Sequence, residues 1–365
     1  GGKVIDGGIV YMGGTPGYWG TNNTVTATDP GSVWQVGYTI NLGYGQYNSI
    51  VVSNGASLIS GGAAVGCLAN ANSNSATVTG AGSLWNLRGG SLPNGITGST
   101  GNTVIVTQGG TVDHVGTLLA ATNNYISLSG GMLGVSNTWY TNGALAAGPF
   151  TVGDGYQVAT LKALGGTLSF NPGLLVNTNA TLLGIGTVAG QLTGVVITNG
   201  ATFTPGTNGA GTFRIGGGNL TWAGGGVYRC EATNFAGSPG VGWDVVNVSS
   251  QLSLIPGDTN CVIELDSMGG YAANFDSNLT YFLRIMTLGN PGGYSQDALA
   301  VDSSAFLNTV AGTWGTTNIG TNVYLTYVPG AATSNQVVEW AAPSNGTWTA
   351  GNGWNWLSRT VPVPS

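Results

Sequence analysis

Short runs that alternate apolar and polar residues, each closed by a corner of Gly, Asn or Ser, recur along most of this chain. SIVVSNGASLISG, residues 49–61, is the clearest. GNTVIVTQGGTVDHVG, residues 101–116, repeats its pattern 54 positions later, and the corner returns in NYISLSGGML, GTLSFNPGLL and GVVITNGATF. Aligned on these corners, the runs share one parity: Ile50 and Val52, Ala76 and Val78, Val104 and Val106, Ile126 and Leu128, Leu168 and Phe170, Val195 and Ile197. A period of two places such residues on one side of a strand, so stacked strands with a single inward face are predicted, with the intervening Thr and Ser facing water. VTATDPGSVWQV returns 51 residues on as ATVTGAGSLWNL, which gives Trp34 and Trp85 equivalent places.

A unit this small cannot bury its own hydrophobic face, and recurrence at near-constant spacing is the mark of a stacked repeat protein. No 12-residue window joins a 3.6-residue period to caps and helix formers, whereas runs of four to seven residues between Gly and Asn occur throughout. The chain therefore reads as almost wholly β.

Composition sharpens this picture. The 365 residues are 42% hydrophobic with a mean hydropathy of +0.18, enough to bury a substantial core, and only 5% are charged, unlike a disordered chain. The 66 glycines follow no three-residue period, which excludes collagen and favours frequent tight corners. Seven Lys and Arg against thirteen Asp and Glu give a formal charge of −6 without a basic patch, which argues against nucleic-acid and anionic-membrane partners. A surface so poor in charge has weak repulsion between copies. No run of 18 apolar residues exists to span a membrane. The sequence opens at Gly1 without a signal peptide, which reads as a mature or trimmed species.

The repeats also carry a resemblance. VTGAGSLWNLRGG with NTVIVTQGGTV resembles the type V secretion and PEP-CTERM-associated repeat of bacterial surface proteins, in which a GAGSTW element alternates with LTITNGGTV; the match runs over residues 25–165. Over residues 174–254 the pattern, ending in GVGWDVVNVSSQLSL, is similar to that of autotransporter-associated β-strand proteins. These resemblances imply a right-handed parallel β-helix exported from the cell, extracellular or displayed on its surface, with the solenoid finishing near Leu254. At roughly 20 to 25 residues and about 4.8 Å per coil, it would form a rod on the order of 50 Å long.

The expected organisation is an N-terminal strand or cap segment (1–24), β-helix repeats (25–255), an antiparallel β cap or small sandwich (256–330) and a Trp-rich tail (331–365). A cap is physically needed because an exposed coil end is a sheet edge that recruits other chains. The tail resembles the W…G.W…NW opening of a further autotransporter-associated repeat, and TVPVPS is similar to the proline-rich segment that precedes the sorting anchor in PEP-CTERM proteins. Cys230 and Cys261 lie in consecutive strand candidates, VYRC and CVIEL, and are either bridged by a disulfide, if those strands stack, or small buried hydrophobes; Cys67 is then odd.

Catalytic signals are thin. Acid–base chemistry needs carboxylates, or a carboxylate and a cation, held together. Asp113 beside His114 is the best pair, but neighbours on a strand point to opposite faces and converge only at a corner. The enzymatic alternative, a β-helical polysaccharide lyase, needs several Asp with Lys or Arg on neighbouring coils; Arg88, Arg214, Arg229, Arg284 and the remaining cations look too scattered for that. No phosphate loop, calcium nonapeptide or Cys and His metal spacing occurs, so no cofactor or metal is expected. Aromatics such as Trp19, Trp139 and Trp222 suit either packing inside a solenoid or stacking on sugars.

The expected function is structural, without enzymatic activity. The chain would be a self-associating subunit of an extracellular filament, sheath or surface layer, joined head-to-tail to copies of itself by β-strand addition. Ile9, Val10, Tyr11 and Met12 at one end, and Val337, Val338, Trp340, Trp348, Trp354 and Trp356 at the other, are the candidate interface residues. The alternative is a monomeric adhesin or carbohydrate-binding passenger module whose partner is a cell-surface or matrix polysaccharide.

Overall fold

The computed structural model describes residues 1–15, 17–140 and 148–330, and the backbone of residues 336–340 and 356–360. It is a parallel β-helix. Each coil contributes one short strand to each of three ladders, so three sheets enclose one apolar interior. On the first ladder Thr24–Ala27 pairs with Ser49–Ser53, then Ser75–Thr79, Thr103–Thr107 and Tyr125–Leu128, always in parallel. The second begins Lys3–Asp6, Val33–Val36, Ser57–Ile59, Leu84–Asn86, and the third Val10–Met12, Thr39–Leu42, Gly62–Val65. Ten rungs stack on the first ladder among the described residues, from Thr24–Ala27 to the last residues of Val245–Ile255. At about 4.8 Å per rung this ladder is about 45 Å long.

The inward face is the one the alternation predicts. Ile50, Ala76, Val104 and Ile126 stand in register and are buried, as are Val52, Val78, Val106 and Leu128. Trp34 and Trp85 share a file, with Leu58 between them. The spacing between parallel register partners varies from 20 residues (Thr167 to Thr187) to 40 (Val246 to Met286), the difference being absorbed at the corners.

Three expectations need correction. Leu168 and Phe170 are buried, but on the third ladder, opposite Thr138 and Tyr140; the first-ladder rungs of that region are Phe150–Val152 and Leu174–Val176. Ala159–Phe170 turns a corner in mid-strand, at the register shift between Leu164 and Thr167, and the two glycines there, Gly165 and Gly166, imitate the first-ladder corner. Second, the N-terminal segment is neither a cap nor a loose strand: Lys3–Asp6 and Val10–Met12 are rungs of the solenoid. Third, parallel stacking does not end near Leu254. Tyr281–Asn290 continues the third ladder and Leu299–Asp302 the second.

The antiparallel part is smaller than expected. Tyr281–Asn290 takes Asn322–Val328 as an antiparallel neighbour, and this strand pairs with Thr313–Ile319. Beside it, Phe235, Phe275, Tyr281, Phe306, Trp314 and Tyr327 form one aromatic cluster, with Phe235–Phe275, Phe275–Phe306 and Trp314–Tyr327 centroids 4.9, 5.0 and 4.8 Å apart. These rings join the corner loops of the last coils to the antiparallel pair.

The opposite end is open. Lys3–Asp6, Val10–Met12 and Thr24–Ala27 are each paired on one side only among the described residues. A hollow of about 550 Å³ lined by Val4, Val25, Ala27, Val33 and Trp34 leads into the apolar interior there.

The possible disulfide is absent, and Cys67, Cys230 and Cys261 are free thiols. Val227–Glu231 and Cys261–Asp266 do stack, but in a register that sets Cys230 opposite Leu265. Cys261 lies four positions earlier, about 13 Å along the strand and far beyond disulfide reach.

Candidate functional site

The corner between the third and first ladders is the most ordered polar feature of the molecule. Asn23, Asn48, Asn74, Asn102 and Asn124 each immediately precede a first-ladder strand. The last four are fully buried. Each carbonyl accepts from the backbone N–H and side-chain amide of the asparagine one coil earlier: Asn48 N and Nδ2 donate to Asn74 Oδ1 at 2.9 and 3.0 Å, and Asn74 N and Nδ2 to Asn102 Oδ1 at 2.9 and 3.0 Å. The amides also hold corner loops, Asn48 Nδ2 donating to Gly20 O (3.2 Å) and Asn74 Nδ2 to Gly45 O (3.0 Å).

Burying a stack of amides is tolerable only because every donor and acceptor on the path is paired. It also requires room. Gly66, with φ +72°, lies so close to Asn102 that a Cβ there would sit 2.3 Å from Nδ2. The sequence reading overlooked this ladder, although its signal was present: an asparagine directly before each alternating run, with Gly43, Gly66 and Gly95 ending the preceding third-ladder strands.

The loops held by this corner surround a groove of about 700 Å³, lined by Trp19, Thr21, Tyr44, Gly45, Gln46, Leu68, Ala69 and Asn70. Trp19 is 73% exposed, and Tyr11 leans on Tyr44 with ring centroids 5.8 Å apart. The Tyr44 phenol is pushed upward by burial and by nearby Cys67 and Tyr11, so it stays protonated at neutral pH. Cys67 is held at about 12 by burial and is no nucleophile.

A second polar cluster lies on the second ladder. Stacking brings Arg229 beside Glu264 and Asp266, with Nε to Glu264 Oε1 at 3.0 Å and to Asp266 Oδ2 at 4.0 Å, and sets Glu231 opposite Asp266. Stacking thus brings one of the scattered cations, Arg229, beside two carboxylates. Behind them Asp244 is fully buried and accepts from Gly211 N (2.7 Å) and Glu231 N (2.9 Å). Desolvation outweighs these two bonds and raises its carboxyl to about 8, with the Glu231 and Asp266 charges pushing the same way.

The sign of the consequence is definite. The folded state keeps a proton that the unfolded chain releases near 4, so this group favours folding at acid pH, and that contribution is lost as pH rises through about 8. We expect the melting temperature to fall between pH 5.5 and pH 8.5, and Asp244→Asn to flatten that slope in a thermal scan. An unchanged slope in the variant would assign the dependence elsewhere.

The adjacent cavity of about 420 Å³ is bounded by Ile185, Thr207, Asn208, Thr233, Val241 and Met268, without a carboxylate. Among the described residues no group of three or more His, Cys, Asp or Glu is arranged to hold a metal ion. Asp113 and His114 do converge, because they lie at a corner where His114 has φ +55°; His114 Nδ1 is 3.1 Å from Asp113 Oδ2. The imidazole is 59% exposed, and among the described residues no third group completes a relay.

The proposed interface residues divide. Val10, Tyr11 and Met12 lie on the first third-ladder strand, and Ile9 immediately precedes it; Ile9 and Tyr11 are exposed while Met12 points into the core. Val337, Val338 and Trp340 belong to Gln336–Trp340, which pairs antiparallel with Trp356–Thr360 in a register that makes Trp340 and Trp356 backbone partners. Trp348 and Trp354 lie outside the described residues.

The fold defines the chain as a parallel β-helix whose best-ordered polar element is structural. Comparison with protein-family models, with curated proteins and with solved structures gives no match. No helix among the described residues is long and apolar enough to cross a membrane.

Proposed function

We propose that this chain is a structural subunit that associates with copies of itself head-to-tail, as part of an extracellular filament, sheath or surface layer. The observation that carries this reading is the inequality of the two ends. At one end the last third-ladder strand, Tyr281–Asn290, is covered by the antiparallel strand Asn322–Val328; at the other a hollow opens at Val4, Val25 and Trp34, and all three terminal rungs are paired on one side only among the described residues. Unpaired backbone edges over an open apolar core are the usual template for pairing with another chain. Because the ends differ, contact between them is heterologous, does not close on itself and propagates. The Gln336–Trp340 and Trp356–Thr360 hairpin, paired within itself and to no strand of the helix among the described residues, is the matching element from the C-terminal side.

The test is negative-stain electron microscopy with light scattering across concentration. The full chain should form fibres with an axial repeat near the subunit length, and both deletion after Gly330 and Val25→Asp should leave folded single rods. Single rods of the full chain at every concentration, or fibres that persist in both variants, would refute the mechanism.

A further inference from the structure

We propose that the groove at the asparagine corner is a binding site for a neutral oligosaccharide, with one pyranose ring lying against the Trp19 indole and its hydroxyls meeting Tyr44, Gln46 and Asn70. The site lies on the flank of the helix, so the inference is independent of end-to-end association. The argument begins with what is unused. Trp19 is 73% exposed in a concave surface of about 700 Å³ rather than packed on the helix. The Trp19 indole N–H, the Tyr44 hydroxyl and the Asn70 side-chain amide make no hydrogen bond among the described residues, and Gln46 Nε2 makes only a long one, 3.4 Å to Asn70 O.

A flat aromatic surface flanked by unpaired hydroxyl and amide groups matches a sugar, which offers an apolar C–H face and a rim of hydroxyls that both donate and accept. The lining contains no charged residue, which selects against phosphate, sulfate or carboxylate ligands.

The groove is also held in shape. Its walls come from the corner loops of three successive coils, and the buried asparagines fix all three through Gly20 O, Gln46 O, Gly45 O and Ala71 O. Beside it Tyr47 is 57% exposed and kept at φ +58°, a left-handed conformation costly for a bulky residue, by its N–H bond to Asn72 O (3.1 Å) and its place next to Asn48. A loop restrained this way loses little entropy when a ligand settles on it.

The test uses the full chain with hexasaccharides of glucose, xylose, mannose and N-acetylglucosamine, and sialylated and sulfated glycans as charged comparators, by calorimetry and tryptophan fluorescence. At least one neutral hexasaccharide should bind. Trp19→Ala should weaken it roughly tenfold or more, Asn70→Ala by less, and Trp139→Ala not at all, with unfolding temperatures unchanged. Absence of binding by every neutral hexasaccharide, binding of charged glycans only, or affinity unaffected by the Trp19 and Asn70 variants together would overturn the assignment. Light scattering on the same samples keeps this outcome separate from assembly, since a dispersed subunit should bind as well as an associated one.

Discussion

Replacing Asn102 by Ala should destabilise the N-terminal half of the helix by about 4 kcal/mol, a large fraction of what a typical domain possesses. The magnitude follows from what is left behind. Asn102 Oδ1 accepts from Asn74 N and Nδ2, and Asn102 Nδ2 donates to Ala71 O and Asn124 Oδ1, both at 2.8 Å. After truncation Asn74 Nδ2 keeps Gly45 O, and Asn124 Oδ1 keeps Asn102 N, but the Asn74 N–H and Ala71 C=O lose their partners in a dry interior. Two orphaned backbone groups at roughly 1–3 kcal/mol each give the estimate above. Asn72→Ala removes a carbonyl that serves only Thr100 at the solvent edge and should cost less than about 1 kcal/mol. Urea unfolding, with hydrogen exchange over residues 71–75 and 102–104, compares the two. Equal costs would mean that the ladder is decoration and that the strands alone set the corner.

Trp222→Ala should cost about 3–5 kcal/mol by opening a cavity in the C-terminal half of the interior. Its indole is fully buried, meets Phe203 edge-on at 5.2 Å and donates from Nε1 to Gly226 O at 2.8 Å. The stack continues through Tyr228, whose ring lies 4.9 Å from Phe203. Coils touch only their neighbours, so the loss should be confined to the rungs around 195–255 and appear as an early step in unfolding, with the asparagine corner still protected. Trp139, 62% exposed, provides the contrast: its truncation should change stability by no more than about 0.5 kcal/mol. A single cooperative transition shifted as a whole would show that the helix does not unfold by parts.

How much of this was legible in the sequence depended on whether a signal was local. Alternation is local, and it placed Ile50, Val52, Val104 and Val106 on one inward face. Which ladder a run occupies is not, because it depends on the lengths of the corners that precede it. Leu168 and Phe170 have the correct parity but the wrong ladder for this reason. Register likewise decides which residues of stacked strands meet: it separates Cys230 from Cys261 and gathers Arg229, Glu264 and Asp266. The end of the solenoid was missed because the sequence around Cys261–Asp266 and Tyr281–Asn290 does not repeat the earlier motif, yet both strands still lie in parallel on earlier coils. The asparagine ladder was legible and went unread, since an Asn before a strand looks like any turn until five of them coincide. The groove was not legible at all: Trp19, Tyr44 and Asn70 meet only after three coils have stacked.

The arrangement of bonds has a mechanical consequence. Every rung-to-rung hydrogen bond, and every link between stacked asparagines, points along the rod axis. A pull applied to the two ends loads the rungs in series, so only one interface resists at a time, whereas a sideways load is shared by all of them. The buried asparagine stack reinforces the series only as far as Asn124; farther on, Phe150 and Leu174 donate to the backbone carbonyls of Gly173 and Gly194. A rod under tension should therefore part beyond its amide-bolted start, leaving that start intact.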